Sequence, residues 1–120
     1  MSGAERRRYM RVAKNFILTY FDKVDPTTKF EVTQLKNISM GGACFVTTRE
    51  FPKGTEIGIE LKTPYITDTT YLEGVVHESH PKVKGMLYET RLEFGNLDTQ
   101  AEFLMAKLIK FFTDEDNTNE

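Results

Sequence analysis

Cysteine is almost missing from this 120-residue chain. Cys44 stands alone, so no disulfide can close within the chain, and a reducing compartment, the cytoplasm, is expected. Long apolar runs are missing too: nothing approaches the roughly 18 residues a membrane helix needs, so no membrane insertion is expected. The opening Met1-Ser2-Gly3-Ala4-Glu5-Arg6-Arg7-Arg8 lacks the apolar stretch of a secretory signal, and Ser2 in place of glycine removes the myristoylation pattern. Neither a Walker sequence nor GxGxxG occurs. With no other catalytic constellation in view, the chain is not expected to be an enzyme.

An overall positive charge is also lacking. The formal net charge is −2. Arg6, Arg7, Arg8, Arg11 and Lys14 nevertheless face only Glu5 within residues 1–14, a local +4 that leaves −6 on the rest. Asp114, Glu115, Asp116 and Glu120 hold four of those negative charges. An acidic chain with one compact basic cluster is a poor match for a nucleic-acid polymer. It suits a small anionic ligand better.

What is present is a succession of strand signals. Lys14–Asp22 is rich in aromatic and β-branched residues. After a turn at Asp25-Pro26, Lys29–Ile38 alternates. Gly41-Gly42 interrupts, and Ala43–Thr48 resumes the pattern. Beyond Pro52-Lys53-Gly54, Ile57, Ile59 and Leu61 alternate with polar residues, which predicts a strand with one buried face. Tyr71–Glu78 and Met86–Phe94 complete six strands. Short strands punctuated by turns predict a mainly β fold, an antiparallel barrel or sandwich. Thr99-x-x-Glu102 reads as a capping box opening a C-terminal helix. Ala101, Leu104, Met105, Leu108, Ile109 and Phe112 form its apolar stripe, with Phe103 on the opposite side. The expected organisation is a flexible basic arm over residues 1–10, a barrel with its helix over 11–112 and an acidic disordered tail over 113–120.

Two segments carry the functional signal. The first is Glu5-Arg6-Arg7-Arg8-Tyr9-Met10-Arg11, containing Arg7-x-x-x-Arg11. The second, about 25 residues on, is Asn37-Ile38-Ser39-Met40-Gly41-Gly42, of the form Asn-x-Ser-x-x-Gly. In this order, followed by the strand pattern, they resemble the PilZ domain, the bacterial receptor module for cyclic di-GMP. The resemblance spans about Glu5 to Phe112. It implies a six-stranded antiparallel β-barrel with a C-terminal α-helix. It also implies a stand-alone cyclic di-GMP receptor that signals through an unidentified effector protein, with no other cofactor. The alternative is a degenerate member that binds no nucleotide and acts as an interaction protein.

The chemistry agrees with the resemblance. An arginine fork pairs with phosphate oxygens and with the O6/N7 edge of guanine. Arg6, Arg7, Arg8 and Arg11 are therefore candidate ligand residues from the arm. Asn37 and Ser39 offer hydrogen bonds, beside Gly41 and Gly42, and Gly42 permits either close backbone approach or a positive φ. Two positions depart from the family pattern. Asn37 stands where many members have Asp, and Arg91 where a small residue is expected. Arg91 either adds a ligand contact or pairs with Glu89 or Glu93 on the outer face, the pairing being preferred.

The remaining candidates read as structure. His77-x-x-His80 with Glu78 has metal-ligand elements, but on a regular strand the histidines face opposite sides, so no metal is expected. Asp114-Glu115-Asp116 lacks the glycine of a calcium loop. Cys44 reads as a buried thiol.

Overall fold

The computed structural model describes residues 10–11, 16–63 and 66–118. Among the described residues it is mainly β, with one sheet and one helix. The strands are β1 (Met10–Arg11), β2 (Ile17–Asp22), β3 (Phe30–Glu31), β4 (Gln34–Ser39), β5 (Gly42–Thr47), β6 (Glu56–Thr63), β7 (Ile66–Val83) and β8 (Leu87–Phe94), and the helix is α1 (Thr99–Thr118). The sheet order is β1-β4-β5-β8-β7-β6-β2-β3, and all its pairings are antiparallel.

Eight strands replace the six expected, for two reasons. The stretch read as one strand over Lys29–Ile38 is divided. Phe30 and Glu31 pair with β2 at one edge of the sheet, whereas Gln34–Ser39 pairs with β5 near the other. Val32 and Thr33 join them. The three Cα steps from Glu31 to Gln34 span at most about 11 Å, so the two ends of the sheet must lie close together. The sheet is thus a curled barrel whose seam is closed by the chain, and the closed six-strand ladder is corrected accordingly. The second extra strand is β1, which takes Met10, assigned to the arm from sequence, and sets Met10 opposite Leu35 and Arg11 opposite Gln34.

Alternation explains the inner face. Leu18 and Tyr20 of β2 and Ile57, Ile59 and Leu61 of β6 are all buried, as are Leu72, Val76 and Leu92. The middle of β6 is covered on its outer side as well. Phe21 lies so close over Gly58 that a β-carbon there would overlap its ring. Lys29 sits 5.5 Å from the Phe21 ring centroid and pairs with Glu60 at 2.7 Å, leaving that carboxylate nearly buried. β7 runs well past both ends of the strand expected at Tyr71–Glu78, because it serves β6 along its first part and β8 along its second. It admits Pro81 where its register with β8 shifts, a place where the ladder can spare an N–H.

α1 starts one residue away from the expected cap. Ala101 N donates to Asp98 Oδ1 at 2.8 Å and Glu102 N to the Asp98 carbonyl at 2.9 Å, so Asp98, not Thr99, is the N-cap. A carboxylate there also meets the positive end of the helix dipole. Ala101, Leu104, Met105 and Leu108 are buried as the stripe predicts, and Ile109 packs against the core. The Phe112 side chain lies outside the described residues. Phe111, not part of the expected stripe, packs on Phe16 with ring centroids 5.6 Å apart. The helix continues to Thr118, into the stretch read as a tail; of residues 113–120, the last two lie outside the described residues. No helix among the described residues is long and apolar enough to cross a membrane.

Phe103 is 55% exposed, and Lys107 Nζ lies 4.8 Å from its ring centroid. Phe103→Ser should therefore cost less than about 1 kcal/mol, the scale of a surface cation–π contact. Urea denaturation measures it, and a larger loss would place the ring in the core.

Candidate ligand-binding face

The β4–β5 hairpin carries the Asn-x-Ser-x-x-Gly segment. Its tip is Met40-Gly41, between the paired residues Ser39 and Gly42. Gly41 N donates to Ser39 Oγ at 3.2 Å, and Phe94 N donates to the Gly41 carbonyl at 2.8 Å, which ties the tip to the end of β8. Ser39 thus spends hydrogen-bonding capacity inside its own turn. Neither Gly41 nor Gly42 takes a positive φ; among the described residues only Gly54 and Gly85 do. Of the two roles open to Gly42, close approach is the one used. A β-carbon there would overlap the Leu92 carbonyl oxygen and lie 3.2 Å from its carbonyl carbon. At Gly41 the nearest atom to such a carbon is Ser39 Oγ at 3.8 Å.

A bulge orients the polar pair. The register between β4 and β5 shifts between Leu35 and Asn37. On a regular strand Leu35, Asn37 and Ser39 would share a face. The extra residue, Lys36, resets the alternation, so Leu35 is buried and Ile38 packs against the core while Asn37 and Ser39 are exposed on the outer face. Arg11 lies on the neighbouring strand, its backbone paired with Gln34, three residues before Asn37. Its side chain, together with Arg6, Arg7 and Arg8, lies outside the described residues.

Register carries the outer face onward. Asn37 pairs with Cys44, Cys44 with Arg91, and Arg91 with Glu78, so these four form one row across β4, β5, β8 and β7. Arg91 Nε lies 3.3 Å from Glu78 Oε2. The expected partners Glu89 and Glu93 are two residues away along the same strand, whereas Glu78 is directly opposite, where cross-strand side chains are closest. Lys36 reaches over β5 to Glu89 at 3.2 Å. Burial pushes the Cys44 thiol up from its ordinary value, and the Arg91 and Lys36 cations pull the other way. Cys44 is buried, as expected.

The histidine reading needs correction. The β7–β8 register shifts between Val76 and Glu78, so His77 is the bulged residue. His77 Nδ1 lies 3.3 Å from Glu93 and His80 Nε2 3.8 Å from Glu89. Those glutamates share the outer face, so both histidines do as well. Even so, no group of three or more potential metal ligands occurs among the described residues. Of the sequence candidates, then, the structure brings Asn37, Ser39, Gly41 and Gly42 together on one hairpin, with the Arg11 backbone paired to the start of the same strand at Gln34. The neighbouring Lys36 was not found from sequence, and Glu78 was read only beside the histidines and not as the partner of Arg91, because a bulge erases the parity that would have placed them.

Comparison with known proteins bears on the family and the fold. The family model described as the PilZ domain matches residues 5–113. No curated protein sequence matches. Among solved structures, one titled "Structure of Bacillus subtilis Inhibitor of motility (MotI/DgrA)" is similar, with a TM-score of 0.57 and 19% identity. The similarity covers 94% of this chain and 52% of that one, so this chain spans about half the length of the Bacillus subtilis protein. At that identity the likeness is one of fold.

Proposed function

Because this chain belongs to the PilZ domain family, we propose that it is a receptor for cyclic di-GMP that signals by contact with an effector protein. The observation that carries the reading is the bulged β4–β5 hairpin. It turns Asn37 and Ser39 to the outer face of β4, the strand whose first two residues pair with the end of the arginine-rich segment. The ligand has two phosphates and two guanines. Arg6, Arg7, Arg8 and Arg11 supply forked donors for the phosphates and for the guanine O6/N7 edge. Asn37 supplies an amide for hydrogen bonding at a base edge. Gly41 leaves open surface at the tip, and Gly42 holds the hairpin against β8.

Binding would draw the arginine segment and the hairpin onto one anion and so alter the surface a partner meets. This is receptor chemistry, with no step that makes or breaks a bond. Titration calorimetry with cyclic di-GMP tests it. Arg7→Ala and Arg11→Ala should each weaken binding by about tenfold to a hundredfold, the loss of one charge-assisted contact worth roughly 1.5–3 kcal/mol. Unchanged affinity in both variants would overturn the site, and no binding by the wild type would overturn the function.

A further inference from the structure

Arg91 lies two strands from Asn37 in the same row. Direct cross-strand partners put their side chains on the same face, so Asn37, Cys44, Arg91 and Glu78 all belong to the outer face. Two strand spacings are about 9.6 Å, a gap that a long arginine side chain narrows to hydrogen-bonding range of anything seated over Cys44. Between the two stands the short Cys44 side chain, buried on this face, with Lys36 reaching over the same strand to Glu89. The charge of Arg91 already acts on that thiol. The guanidinium is half exposed, and so is the Glu78 carboxylate it meets at 3.3 Å.

We propose that Arg91 is a further ligand residue, a phosphate contact that Glu78 holds while the face is empty and yields when the dinucleotide binds. The inference rests on the cyclic di-GMP reading and extends its site from the hairpin across β5 to β8 and β7. The exchange is chemically even. The guanidinium gives up one anionic acceptor for another, and the carboxylate it leaves is half exposed and returns to water. An exposed ion pair contributes little, about 1 kcal/mol at most, whereas a forked contact from arginine to phosphate is among the stronger charge-assisted bonds. Glu78 therefore lowers affinity slightly and keeps an uncompensated cation off the face between binding events.

The two partners should respond in opposite directions. In titration calorimetry with cyclic di-GMP, Arg91→Ala should weaken binding about tenfold or more. Glu78→Gln should tighten it by up to about fivefold, the most that releasing an exposed ion pair provides. Both variants should melt close to the wild type. Arg7→Ala, run alongside, reports on the underlying reading. If the wild type binds and Arg7→Ala is weakened while Arg91→Ala binds as the wild type does, the Arg91 contact is overturned and the receptor reading stands. If Arg91→Ala and Glu78→Gln shift affinity in the same direction and both lose stability, the pair is only a structural bridge and the proposal fails. No binding by the wild type overturns both.

Discussion

Gly42→Ala should destabilise the folded protein by roughly 1–3 kcal/mol, the range for forcing extra volume into a packed site. The added carbon would overlap the carbonyl oxygen of Leu92, which is backbone in the middle of the sheet and has no flexible end to swing aside. Leu92 is buried and paired with Ala43, so relief requires β5 to lift from β8. That movement would also strain the bond from Phe94 N to the Gly41 carbonyl. Gly41→Ala is the control: its new carbon meets nothing closer than 3.8 Å, and stability should stay near the wild-type value. Chemical denaturation of the two variants separates the positions. Equal stabilities would show that close approach is not what requires glycine at position 42.

Met105→Ala should cost more, about 2–5 kcal/mol, the usual range for truncating a long apolar side chain in a core. Met105 is fully buried and closes the interior of the curled sheet, where Leu18, Leu35, Phe45, Ile59 and Leu72 line the space it faces. These residues come from five different strands, so a cavity at Met105 weakens the whole barrel and not merely the helix. The contrast with Phe103→Ser, two positions earlier on the same helix, makes the test sharp. If Met105→Ala unfolds at the wild-type denaturant concentration, α1 is an appendage and the core assignment is wrong.

Much of this architecture was legible in the chain because periodicity is a local property. The 3.6-residue repeat of Ala101, Leu104, Met105 and Leu108 names the buried face of α1 without reference to what it packs against, and those four are buried. The alternation of Ile57, Ile59 and Leu61 likewise identifies the inner face of β6. The proposed site rests on two short motifs whose residue chemistry suits phosphate and guanine. The structure sets the second of them on an exposed hairpin.

Tertiary structure decided whatever depends on a partner strand. Lys29–Ile38 reads as one strand, but β2 claims its first part and β5 its second, and the chain must cross the barrel seam between them. Bulges at Lys36 and His77 reverse the alternation partway along β4 and β7. The reversal at Lys36 turns Asn37 and Ser39 outward, and that at His77 brings both histidines to one side. Arg91 found Glu78 because register placed that residue opposite, although Glu89 and Glu93 are nearer in sequence. The cap fell to Asp98 instead of Thr99 through the path by which β8 hands the chain to the helix. By itself, then, the sequence determined which residues prefer strand or helix and which side chains carry the chemistry. Their faces and their partners followed from register, which is set by contacts between segments far apart in the chain and leaves no trace in any single one of them.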